Sequence, residues 1–170
     1  MVEAALLTFI CTLAMAGAAY DFATLTIPNW ISLSLLALFP ALAIAAGLSL
    51  SETGMHFAVG AGALAVGVAL FAGGVIGGGD AKLFAALALY MGAQSIGPYV
   101  FAVALAGGAL AVGLLLVRSL PVRIFLSRFR AQWVHRLTSP GVGIPYGVAI
   151  AAGGLFVLPG THFLALVAAP

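Results

Sequence analysis

Charge is scarce in this sequence: of 170 residues, six are lysine or arginine and four are aspartate or glutamate. With 64% hydrophobic and 6% charged residues the chain cannot clothe a water-facing surface, which excludes a soluble domain of ordinary size. Cysteine is nearly absent. Cys11 stands alone, so an internal disulfide and any C-x-x-C metal or redox pair are excluded. A net charge of +2 drawn from so few residues, without basic and aromatic interleaving, gives no reason to expect a nucleic-acid partner. No convincing internal repeat is visible either, which removes the inverted-repeat signature of many transporters.

What the sequence has is apolar length. A transmembrane helix takes about 20 mostly apolar residues, and nearly uncharged segments lie at about 4–20, 30–50, 55–76, 83–99, 99–117 and 142–168. They predict an all-α polytopic membrane protein of about six spans, a single transmembrane domain over residues 1–170 with the lipid bilayer as its surroundings. In "SIGPYV", Gly97 and Pro98 mark the expected turn between the fourth and fifth spans, with Tyr99 as an interfacial ring. The pairs Ala61 with Ala65 and Ala63 with Gly67 allow the third span to approach a neighbour closely. Between 118 and 140, Val122, Phe125, Leu126, Phe129, Trp133 and Leu137 recur at helical spacing with most arginines off that stripe, which predicts an interfacial helix resting on anionic lipid. His135 belongs to that helix and faces headgroups.

Threading six spans puts Lys82, Arg118, Arg123, Arg128, Arg130 and Arg136 on one side, which the positive-inside rule makes cytoplasmic, with both termini outside. "AMAGAA" at 14–19 has the small residues of a signal-peptidase site, but the preceding stretch carries Glu3 and no lysine or arginine. Losing the first span would also send the arginine-rich connection outside, so that span is expected to stay.

Of the four acidic residues, Glu3 and Glu52 fall at outer span ends, as do His56 and His162. Asp21 in "YDFATLTIPNW" and Asp80 in "VIGGGDAKLF" fall at the cytoplasmic ends of the first and third spans, at one depth. An ionisable group at membrane depth is a functional-site hypothesis in its own right. Gly77, Gly78 and Gly79 bare the backbone before Asp80, allowing positive φ and the close approach of another backbone, such as a peptide. Two neighbouring carboxylates share a proton, because like charges cannot both ionise cheaply, and so supply one base and one acid for hydrolysis. Two other classes use the same residues differently. A small cation- or proton-coupled transporter or channel would use the carboxylates for ions but wants them near the midplane, and an assembly subunit would use them only to cap helices.

"GGGD" at 77–80, "YDFATLTIPNWIS" at 20–32 and "IPYGVAI" at 144–150, in that order, resemble the motifs of the type IV prepilin peptidases, intramembrane aspartyl proteases of the G-x-G-D kind. The likeness is to the short branch that serves Flp or Tad pili, and it runs over essentially the whole chain. It implies that Asp21 and Asp80 are the catalytic pair and that the substrates are prepilins. It further implies removal of their basic leader, just after a glycine, at the cytoplasmic face of the bacterial inner membrane. It places Gly77, Gly78, Gly79, Pro145 and Tyr146 beside the dyad. Lys82, two residues from Asp80, cannot face it on a regular helix and reads as an inside anchor with a lesser role in tuning the site. Pro28 suits the first turn of the second helix, with Asn29 or Thr26 as its cap. Larger relatives carry paired C-x-x-C zinc ligands and also methylate the new pilin terminus. Cys11 alone cannot provide such a site, so no metal or cofactor is expected and nothing supports methyl transfer.

Overall fold

A computed structural model describes residues 2–119 and 143–167. Among them the chain is helical: α1 (Val2–Thr24), α2 (Asn29–Ala45), α3 (Leu50–Ala72), α4 (Gly78–Arg118), α5 (Tyr146–Val157), a 3₁₀ turn (Leu158–Gly160) and α6 (His162–Val167). By length and apolarity α3, α4 and α1 from Leu7 suffice to cross a membrane, while α2 and Tyr146–Gly160 are shorter apolar helices. The protein is membrane-embedded. The expected interfacial helix lies outside the described residues, apart from its first two positions.

The 41 residues of α4 are not one rod. Phe84 and Tyr99 stack with ring centroids 5.1 Å apart, whereas fifteen residues of straight helix would separate them by about 22 Å. The chain therefore doubles back between them, at Gly92, where φ is 62° and ψ is −176°. A residue with a Cβ reaches that conformation only at a cost, which is why the break sits there. The turn expected at Gly97 and Pro98 is thus moved: Pro98 lies inside the returning leg, as Pro40 lies inside α2. A proline forfeits one backbone hydrogen bond, which neighbouring helices in a membrane bundle can offset. The last apolar segment is also not continuous, since Pro159 lies in the 3₁₀ turn that interrupts it.

The first leg of α4, up to Gly92, is the axis of the bundle. Residues Ala85 to Gly92 are buried without a break, as befits a helix that is apolar on every side. Close packing against it depends on small residues. A Cβ on Gly60 would stand 2.7 Å from Leu89, and one on Gly67 would stand 2.9 Å from Ala81. With Ala63 these form the buried stripe of α3, so of the two small-residue pairs only Ala63 with Gly67 faces the core, while Ala61 and Ala65 are exposed. At the end of the bundle near Gly92, Phe39 is ringed by His56, Phe57, Tyr90 and Phe163 at 5.3–5.7 Å.

Candidate active site

α1 ends because Leu25 takes a left-handed φ of 56°, its N–H donating to the Asp21 carbonyl at 2.7 Å. For a residue other than glycine this costs about 1–2 kcal/mol, and it turns the chain so that Ile27 points inward, 8% exposed. α2 then begins with Pro28 as its N-cap and without a side-chain cap. Neither expected cap is used: the Thr26 hydroxyl pairs with that of Thr24 at 2.8 Å, and the Asn29 amide oxygen accepts from Lys82.

Asp21, in the last turn of α1, is 4% exposed. Its Oδ2 accepts the Gly147 N–H at 2.6 Å across 126 residues of sequence. Gly147 stands in the first turn of α5, where backbone N–H groups have no partner within the helix and the helix dipole favours negative charge. Glycine is required here by space. A Cβ would fall 2.8 Å from Asp21 Oδ2 and 2.7 Å from Ile27 Cδ1.

Asp80 is the third residue of α4 and is 8% exposed. Its Oδ2 accepts from the Gly77 N–H at 3.1 Å, and its Oδ1 is buried without a hydrogen-bond partner among the described residues. Asp21 and Asp80 lie at the same end of the bundle, on elements that pack around Ile27. Ile27 links the elements that carry them, since a Cβ on Gly79 would meet its Cβ at 3.1 Å while its Cδ1 crowds Gly147. Two acidic groups far apart in sequence thus share one buried end of the bundle, each tethered by an amide.

The other expected residues divide. Gly77 supplies the amide for Asp80, Gly79 makes the close approach to Ile27, and Gly78 abuts Phe71. None of the three takes positive φ, so their use is close packing rather than unusual backbone. Lys82 turns away from Asp80, and its Nζ donates to Asn29 Oδ1 at 2.8 Å. Pro145 is fully buried as the N-cap of α5, and the Tyr146 ring fills the space beside Gly107. The contact with Asp21 belongs to the next residue, Gly147, which stands inside the same "IPYGVAI" stretch. Glu52, His56 and His162 lie at the opposite end, around a cleft of about 150 Å³. Among the described residues no three His, Cys, Asp or Glu side chains are grouped to hold a metal ion.

A model of the type IV leader peptidase family matches residues 7–112, a stretch that contains both aspartates and the glycine run. Neither the curated proteins nor the solved structures gave a significant match.

Proposed function

The chain belongs to the type IV leader peptidase family, and from that premise we propose that it is an intramembrane aspartyl endopeptidase with Asp21 and Asp80 as its dyad. Its substrates are type IV prepilins, of the Flp kind, and it removes their basic leader at the cytoplasmic face of the bacterial inner membrane. One carboxylate, ionised, takes a proton from water as the oxygen attacks the scissile carbonyl carbon. The other, protonated, gives its proton to the carbonyl oxygen. The roles then exchange, so that the C–N bond breaks as the amine nitrogen gains a proton. The Gly147 amide holds Asp21 at a fixed angle throughout, which lowers the reorganisation the reaction demands.

One observation carries this reading: among the described residues Asp80 Oδ1 is buried without a hydrogen-bond partner, at the end of the bundle that also holds Asp21. A carboxylate kept only to cap a helix has no use for such an oxygen, whereas one that must take up and give back a proton needs it free. The test is proteoliposomes holding the wild type, Asp21→Asn or Asp80→Asn, given a prepilin with a basic leader and a glycine before its apolar segment. Cleavage by the wild type alone supports the dyad. Wild-type failure on several such substrates, with cation uptake that both variants lose, would instead make the carboxylates an ion site.

A further inference from the structure

Gly79 stands directly before Asp80, and Gly147 donates its N–H to Asp21 at 2.6 Å. One residue crowds both glycines. A Cβ on Gly79 would meet Ile27 at its Cβ, N and O, 3.1–3.3 Å away, and a Cβ on Gly147 would meet Ile27 Cδ1 at 2.7 Å. Ile27 therefore bears on the start of α4 with its backbone and the root of its side chain, and on the start of α5 with the tip. It belongs to neither α1 nor α2 but to the connection between them, yet it is 8% exposed. The chain enters this position through Leu25 at a left-handed φ of 56°, a conformation that persists in a residue other than glycine only where its surroundings over-determine it. It leaves through Pro28, φ −61°, whose ring holds the preceding residue to extended backbone. The β-branched side chain has few χ1 states of its own. Ile27 is thus held from both sides along the chain and rests on two glycines across it.

We propose that Ile27 is a positioning residue for the dyad: a stiff spacer between the starts of α4 and α5 that sets where Asp21, tethered to Gly147, stands relative to Asp80. The inference rests on the endopeptidase reading and adds to it a residue that acts through two others. An isoleucine has no proton to give or take, so what it contributes is length and shape. A loose flap over the site would make contact by its tip alone, whereas here main-chain atoms of Ile27 face Gly79, so the connection itself is seated on α4.

The experiment uses the full chain in liposomes with a prepilin substrate and reads kcat and KM separately. Ile27→Ala removes both the branch and the tip. It is expected to lower kcat about a hundredfold, the cost of a misplacement of about 1 Å, with KM within about twofold, as for an interaction realised in the transition state. Ile27→Val lacks only the Cδ1 that meets α5 and should lose about tenfold; this milder variant carries the comparison if the alanine variant fails to insert. Second-site changes separate the two contacts. Adding Ile27→Val to Gly147→Ala should restore part of the lost rate, because the new methyl takes the space of the missing Cδ1. Adding it to Gly79→Ala should restore nothing, because valine keeps the Cβ and backbone that crowd that glycine. One readout needs no substrate. In protein labelled with 15N-glycine, the Gly147 amide, assigned by its loss in Gly147→Ala, should exchange with solvent about tenfold faster in Ile27→Ala as its bond to Asp21 loosens. Unchanged kcat, a rise in KM alone, or faster cleavage by Ile27→Ala, the behaviour of a plug withdrawn from the site, would overturn the proposal. So would an unchanged Gly147 exchange rate in a folded variant. Faster Gly147 exchange in Ile27→Ala beside a wild type that cleaves nothing would leave the spacer standing and remove the endopeptidase reading, so the two failures are separable.

Discussion

Two helices of this protein begin in the same way and lead to different chemistry. At the start of α3, Glu52 accepts the Ser49 N–H at 2.8 Å, while Ser49 Oγ accepts the Glu52 N–H at 3.2 Å. At the start of α4, Asp80 stands in the same third position and accepts the Gly77 N–H. Glu52 is exposed, and reciprocal bonds to Ser49 account for its position. Asp80 is buried, its N-cap partner has no side chain to return the bond, and among the described residues its Oδ1 has no hydrogen-bond partner. Helix capping explains the first carboxylate and only half of the second. A carboxylate becomes a candidate for catalysis through what its local structure leaves unsatisfied.

The sharpest way to break that comparison is to neutralise each carboxylate in turn. Asp80→Asn is expected to lower cleavage by about a thousandfold or more, within the range for loss of a general acid or base. Glu52→Gln should stay within about twofold of the wild type, because capping contributes stability and not chemistry. Rates of prepilin cleavage in liposomes decide it, and equal losses in both variants would remove the distinction. The next effect is on the amide that holds Asp21. Gly147→Ala puts a methyl group where Asp21 Oδ2 and Ile27 now sit, and a misplacement of about 1 Å costs on the order of a hundredfold in rate. Its kcat should fall while a folded, membrane-inserted protein is retained by size exclusion in detergent. The smallest effect belongs to Ser49→Ala. Losing the cap should cost about 1 kcal/mol, visible as a lower midpoint in thermal unfolding, with cleavage unchanged.

Much of this arrangement was legible in the sequence. Scarce charge and long apolar runs implied a helical membrane protein, and only two acidic residues, Asp21 and Asp80, shared one end of the threaded spans. What escaped was of two kinds. Gly147 and Ile27 act through space, by an amide and by a side chain wedged between Gly79 and Gly147. Neither residue type announces such a contact, since a glycine beside a tyrosine or an isoleucine before a proline is ordinary in a loop. The reversal in α4 was placed five residues late because proline is the stronger textual signal for a break. In the folded bundle a proline can stay helical at the loss of one hydrogen bond, whereas the backbone angles at Gly92 disfavour any other residue. The Ser49-x-x-Glu52 pattern was available as a capping box, and reading it would have set Glu52 apart from Asp80 at once.

The central claim is that Asp21 and Asp80 work as one unit, and a double-mutant cycle on single-turnover prepilin cleavage tests it most directly. Residues that act together give grossly non-additive losses. Asp21→Asn, Asp80→Asn and the double variant should therefore all fall by about the same factor, a thousandfold or more. A double variant whose loss is the product of the two single losses, or either single variant cleaving at the wild-type rate, would contradict it.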